Sequence, residues 1–346
     1  MSTRGLAMQR LSQAFHGGKC LHAKTDAERQ SLRRLVRNGL VCSPSRGLFV
    51  RAEDWRSLNS RARALMIIRS MSAMHPDWVF CDVSAAVVHG LAVSFHLLGQ
   101  LHIAVPKSRH GRSTTKVIRH STGSCPVVQV GGIKVTSLPR TVLDCLRGRS
   151  FAEGLVIADS ALRMSGATAT SFEGTLRRLG RGLHGIRHAL STLSHADPRS
   201  ESGGESLARA LMIEFGFRLP ELQVTVRSTL GDGHFYRPDF MWRLPSGIVY
   251  GEFDGREKYV DPAMTHGASA ASVMADERLR ESRLSATGRV MRFCYADLRS
   301  PARLARLLDG FGIPRDRRPV SLDLRPSSRR ERPTTRQSTR RAAITA

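Results

Sequence analysis

The sequence predicts a multidomain α/β protein. Three observations carry that expectation. The chain has 346 residues, enough for roughly two or three separate cores. Its hydrophobic share is 41%, which is that of a folded protein. Its apolar residues follow helical spacing in some segments and strand spacing in others, with Gly- and Pro-marked turns between them.

Residues 1–55 read as a winged helix-turn-helix. Leu6 to Phe15 forms a first helix, stopped by Gly17-Gly18. Ala27 to Arg37 forms a second, with Leu32, Leu35 and Val36 on its apolar face. Arg29, Arg33 and Arg37 recur at i, i+4, i+8 on another face, with Arg34 beside them, and Asn38-Gly39 ends the helix. Leu40-Val41-Cys42 and Leu48-Phe49-Val50 then flank Ser43-Pro44-Ser45-Arg46-Gly47 as a hairpin. A basic helix followed by a basic-tipped hairpin is the plan of a recognition helix and its wing, so Arg29, Arg33, Arg34, Arg37 and Arg46 are the candidate DNA contacts. The same spacing also suits a solvated basic face.

Residues 56–195 read as an α/β middle domain. Ser60 to Met74 and Val83 to His89 are helices. Leu101 to Pro106, Lys116 to His120, Val127 to Val130 and Ile133 to Thr136 are strands, the last two joined at Gly131-Gly132. Thr141 to Arg147 and Phe151 to Met164 return to helix, and Ser171 to Leu193 continues helical with Gly interruptions. Two stretches stand out: Ser84-Ala85-Ala86-Val87-Val88-His89-Gly90-Leu91 and Val135-Thr136-Ser137-Leu138-Pro139-Arg140-Thr141-Val142-Leu143-Asp144. With the preceding winged helix they resemble the AbiEi family, the antitoxin and transcriptional-repressor half of type IV toxin–antitoxin systems. The resemblance implies a cognate toxin as partner. His89 reads as a core histidine, and Thr141 and Asp144 as residues that cap or pack.

Residues 196–312 follow the order α-β-β-β-α-β-α. Ser202-Gly203-Gly204-Glu205 opens a helix with Leu207, Ala210, Leu211 and Phe215 on one side. Strands follow near Leu222 to Arg227, Tyr236 to Arg243 and Ile248 to Asp254, then a helix from Asp276 to Ala286 and a strand from Val290 to Tyr295. A last helix starts at Ser300-Pro301, Ser as cap and Pro in the first turn. Leu244-Pro245-Ser246-Gly247 reads as a tight turn. Centred on Pro245 and Ser246, it puts Asp239 opposite Glu252, while Glu252 and Asp254 project the same way. Like charges so placed destabilise a sheet, and a divalent cation removes the penalty; oxygen-rich sites suit Mg²⁺ or Mn²⁺.

Arg237-Pro238-Asp239-Phe240 and Gly251-Glu252-Phe253-Asp254-Gly255-Arg256-Glu257-Lys258 resemble the PD-(D/E)XK restriction-endonuclease-like superfamily. The nearest likeness is to the very-short-patch repair endonucleases, whose strand ends in Glu-x-Asp-Gly-x-x-His. Lys258 stands where the His would be, and Asp254 takes the place of the superfamily's Lys. The resemblance implies metal-dependent hydrolysis of DNA. Asp239, Glu252, Asp254 and Lys258 would be catalytic, Glu205, Asp239 and Glu252 would hold Mg²⁺ or Mn²⁺, and Lys258 would meet the phosphate. Glu205 alternatively completes a Ser202-x-x-Glu205 capping box. The competing expectation is a repressor with a decayed, non-catalytic nuclease domain, adding phosphate contacts or a homodimer surface.

Residues 313–346 are rich in Arg, Ser, Thr and Pro and read as a disordered basic tail. The whole chain carries 54 Lys and Arg against 29 Asp and Glu, a net charge of +25, which points to double-stranded DNA as partner. The six cysteines are dispersed, and neither they nor the histidines show a zinc-motif spacing. No segment is apolar enough for a membrane span or a secretory signal, so a cytoplasmic protein is expected.

Overall fold

The elements follow from local capping and from which faces can be buried. The computed structural model describes residues 3–106, 113–228, 233–255 and 282–319, and is mixed α/β with several separate sheets. Helix α1 (Thr3–His16) ends where Gly18 turns left-handed at φ 68°. Helix α2 (Asp26–Arg37) starts on Thr25, whose hydroxyl accepts the Glu28 N–H at 3.2 Å. Its Leu32 and Leu35 are buried with Leu11, Val41 and Phe49. The hairpin after it is β2 (Val41–Ser45) and β3 (Leu48–Arg51), with a shorter turn than expected, Arg46-Gly47. A further strand, β1 (Leu21–His22), pairs with β3. Two residues carry no readable period, so the sequence did not reveal it.

Next come α3 (Ala52–Ser57), α4 (Ser60–Met74), β4 (Val79–Phe80) and α5 (Asp82–His89). They are followed by β5 (Leu101–Val105), β6 (Val117–Ser121), β7 (Val127–Val130) and β8 (Ile133–Thr136). The five strands β4–β8 make one mixed sheet in the order β6-β5-β4-β8-β7. One face packs on α4 and α5 through Ile68, Phe80, Ala85, Ile103 and Val135. Helices α6 (Leu138–Gly148), α7 (Phe151–Ser165), α8 (Ala169–Leu179) and α9 (Ile186–Leu193) form a second apolar cluster. The helical stretch expected over 171–193 with glycine interruptions is two helices, parted where Gly182 and Gly185 take φ 73° and 81°. His89 is structural: its Nε2 donates to the Thr136 carbonyl at 2.8 Å. Thr141 packs, bonded to the same carbonyl at 3.0 Å.

The C-terminal part begins with α10 (Gly203–Glu214). Then come β9 (Glu221–Leu222), β10 (Val226–Arg227), β11 (Phe235–Tyr236), β12 (Phe240–Leu244), β13 (Gly247–Asp254), β14 (Arg289–Cys294), α11 (Tyr295–Leu298) and α12 (Pro301–Gly310). The main sheet runs β14-β13-β12-β9, with β13 and β14 parallel and the other pairs antiparallel. Two expected strands are each split. Gln223 at φ 54° turns the chain out of β9, and Pro238, which lacks an N–H, separates β11 from β12. One sheet face (Phe240, Trp242, Val249, Phe253, Met291, Phe293) is buried with Leu211, Met212, Leu304 and Leu308 of α10 and α12. The other carries Met241, Tyr250 and Leu284. Ser300 gives α12 no side-chain cap. Of the helix expected over 276–286, residues 276–281 lie outside the described residues.

The chain stays packed beyond residue 312, where the tail was expected to begin. Ile313 is buried, the Pro314 carbonyl accepts the Arg218 N–H at 2.8 Å, and the Arg315 guanidinium lies 4.3 Å from the Phe217 ring centroid. The rest of the tail, 320–346, is outside the described residues. No helix among the described residues is long and apolar enough to cross a membrane.

Helix α7 packs on α10 through Phe151, Leu155, Ala210 and Ile213. Across this contact Arg209 meets Asp159 at 2.8 Å and also donates to the His195 carbonyl at 2.8 Å. Burial pushes the Asp159 carboxyl above its ordinary value, and the Arg209 charge offsets only part of that. Removing one partner strands the other in an apolar contact. Asp159→Ala is therefore expected to cost about 3–5 kcal/mol in chemical denaturation, and the double change Asp159→Leu/Arg209→Met much less.

Candidate functional site

The turn on Pro245 and Ser246 pairs Leu244 with Gly247 and fixes the β12–β13 register through Phe240↔Gly251. One further step along that register sets Asp239 across from Glu252. Within β13, Glu252 and Asp254 alternate with Phe253 and so lie on the sheet face away from α10 and α12, while Asp239 sits at a bend just before β12. The Asp239 carboxylate reaches over the strand end and accepts the Phe253 N–H at 2.8 Å.

Glu205 arrives from the first turn of α10. A Cβ on Gly204 would lie 2.0 Å from the Phe253 ring, so only glycine lets the helix start rest on β13. Ser202 Oγ accepts the Glu205 N–H at 3.2 Å, but the Glu205 carboxylate takes the Glu201 N–H at 2.8 Å. Only half of the expected capping box forms, and the Glu205 side chain is available to the patch. Burial, and then the charge of Asp239, push its carboxyl above the ordinary value.

Two residues that sequence reasoning missed complete this face. The Gln223 amide donates to Glu205 Oε2 at 3.1 Å and to Asp239 Oδ1 at 3.4 Å, bridging two carboxylates with a donor dipole. Gln223 holds a left-handed backbone at φ 54°, a strained state for a non-glycine residue. Arg292 of β14 pairs in register with Glu252, and its guanidinium sits 3.7 Å from Asp254. A charged residue inside an otherwise apolar strand was a usable signal for Arg292; Gln223 carried none. Lys258 lies outside the described residues.

The basic residues converge in the N-terminal part. Arg29, Arg33 and Arg37 of α2 and Arg46 at the hairpin turn line one cleft of about 750 Å³, with His22, Ser43, Phe49 and Met74. Arg29 also pairs with Asp26. Arg34 is exposed but lies outside this lining.

A third constellation lies in the five-stranded sheet. Among the described residues, Asp82, His102 and His120 form the group whose ligating atoms all lie within 4.8 Å of one another, and this group could hold a metal ion. Asp82 also accepts from Arg149 at 2.8 Å and from the Cys145 thiol at 3.3 Å. Burial opposes its charge, yet the His102 contact and the Arg149, His102 and His120 charges outweigh that and hold the carboxyl well below its ordinary range. All six cysteines are free, and burial pushes the Cys145 thiol up.

No protein-family model matches the chain. It is similar to two proteins of Mycobacterium tuberculosis, from strains CDC 1551 / Oshkosh and ATCC 25618 / H37Rv, both described as uncharacterized. Each is 29% identical over 235 residues, spanning 68% of this chain and 81% of the relative. Neither description states an activity.

The raised Glu205 carboxyl has a stability consequence. A folded-state value above the unfolded one gives a contribution that is present at low pH and is lost as pH rises through the folded value. In EDTA, thermal denaturation should show the wild type losing stability as pH climbs out of the ordinary carboxylate range. Glu205→Gln should flatten that decline. Equal slopes for the two proteins would contradict the burial and charge assigned to Glu205.

Proposed function

We propose that this chain binds double-stranded DNA through its N-terminal basic cleft and hydrolyses DNA phosphodiesters at the acidic face of its C-terminal sheet, using Mg²⁺ or Mn²⁺. The observation that carries the reading is the approach of Glu205, at a helix start, to Asp239, at the entry to β12, with the Gln223 amide joining them and Glu252 and Asp254 on the adjoining strand β13. Carboxylates brought together raise one another's cost, and oxygen donors from several elements suit a hard divalent ion. Asp239 and Glu252 would hold that ion, with Glu205 at its edge. The bound ion would supply Lewis-acid polarisation of the phosphate and a more acidic water.

The chain's own residues would do the rest. Gln223 keeps Glu205 and Asp239 oriented toward one another. Arg292, beside Asp254, supplies positive charge on the face where a phosphate would approach, and Lys258 is the second candidate for that role. The N-terminal cleft presents Arg29, Arg33, Arg37 and Arg46 to the backbone of a duplex, which favours DNA over a small ligand.

One observation favours a second reading, a DNA-binding repressor that does not cut. Asp254 stands where the superfamily places Lys and is paired with Arg292 instead. The test is supercoiled plasmid incubated with the full chain and Mg²⁺ or Mn²⁺, beside Glu252→Gln. Metal-dependent nicking that falls by about 100-fold or more in the variant supports hydrolysis. Equal DNA binding with no nicking by either protein supports the repressor. For the cleft, Arg33→Ala should weaken duplex binding and lower the salt slope by about 1. An unchanged affinity and slope would remove the cleft from the DNA interface.

A further inference from the structure

We propose that Asp82, His102 and His120 form a binding site for a zinc-type divalent transition-metal ion, separate in place and chemistry from the acidic face. The three ligands come from three elements. Asp82 is the first residue of α5, His102 lies on β5, and His120 lies on β6, the outermost strand of its sheet. In the parallel β5–β6 register His120 pairs with Ala104, two residues along from His102, so both imidazoles fall on one face.

Two of the three separations suit a shared ion, and the third is a hydrogen-bond distance between the two imidazoles, which a bound ion would part slightly. His102 Nδ1 and His120 Nε2 are 2.9 Å apart, and Asp82 Oδ2 lies 3.5 and 3.6 Å from them. Ligands about 2.0–2.2 Å from a tetrahedral ion stand about 3.3–3.6 Å from one another. A hydrogen-bonded triad would instead bring the carboxylate to about 2.7–3.0 Å from an imidazole N–H. Here one proton can serve the two nitrogens, while the buried carboxylate remains beyond good bonding distance of both rings. A cation at the centre uses all three lone pairs at once.

The surroundings suit a metal ligand. Arg149 occupies one side of Asp82 Oδ2 at 2.8 Å, and the Cys145 thiol donates to Oδ1 at 3.3 Å, so the carboxylate is oriented by outer partners. Ser84 Oγ accepts the His102 N–H at 2.8 Å and ties β5 to α5. Asp82 holds φ 49°, a backbone state that a plain helix start does not require. Asp82 and His102 are buried, while the His120 side chain is 33% exposed, so solvent reaches the cluster on that side. Two imidazole nitrogens and one carboxylate select Zn²⁺, Co²⁺ or a similar ion over Mg²⁺. Three protein ligands leave a fourth position for water or another group. The bound ion would staple edge strand β6 to β5 and α5.

The test uses the full chain without a polyhistidine tag, stripped with EDTA and dialysed. Zn²⁺ is titrated and counted by elemental analysis, and Co²⁺ is followed by its visible d–d absorption. The expected result is one ion per chain, four-coordinate Co²⁺ bands, and a rise in Tm of several degrees with Zn²⁺ but not Mg²⁺. His120→Asn, at the partly exposed position, should bind at least about 100-fold more weakly and lose the Tm rise, and Arg149→Met should bind about 10- to 100-fold more weakly. Glu252→Gln should keep the wild-type zinc count, which separates this site from the acidic face. Zinc uptake by folded His120→Asn equal to wild type, or a wild type with neither Co²⁺ bands nor a Tm rise, overturns the proposal.

Discussion

The pairing of Leu244 with Gly247 across a two-residue turn is the constraint on which the acidic face depends. It fixes every later pair of the hairpin, and a slip of one residue would send Glu252 and Asp254 to the face covered by α10 and α12. That face is occupied by Phe240, Trp242, Val249 and Phe253, so a slip would exchange four apolar contacts for buried charge. The register is therefore enforced by the core, and the acids on the other side follow from it. The second constraint is steric. Gly204 lets α10 start against the Phe253 ring, and that contact delivers Glu205 to the edge of the same patch.

Much of this was legible because it is local. The Pro245-Ser246 turn gave the hairpin register, the Arg29, Arg33, Arg37 spacing gave one side of the cleft, and Asn38-Gly39 gave the end of α2. Two elements of two residues were not legible: β1 and β4 exist through their partners and carry no period of their own. The partners that complete the sites were equally hidden. Gln223 matters through a strained backbone and a bridging amide, neither of which a side-chain pattern reveals. Asp82, His102 and His120 are far apart in the chain, and only the β5–β6 pairing and the start of α5 bring them together.

The Asp82–His102–His120 cluster and the proposed acidic face differ in their donors. At the C-terminal sheet the candidate donors are all oxygens, and Arg292 sits 3.7 Å from Asp254. In the middle sheet two donors are nitrogens, and Arg149 is already bonded to the lone carboxylate. The first arrangement gains from a hard, hydrated ion, the second from a borderline one with tetrahedral preference. In a chain of net charge +25 the acidic face is a local exception, and under the proposed function it would keep negative charge where a polyanion approaches. A divalent ion would reconcile that conflict, since it can bridge carboxylates and phosphate.

That reconciliation can be seen directly in crystals of the full chain soaked in Mn²⁺, by anomalous difference density. The account predicts a peak held by the Asp239 and Glu252 carboxylates, with Glu205 turned toward it. Ordered carboxylates with no manganese among them, in crystals whose other sites have taken up the ion, would contradict it.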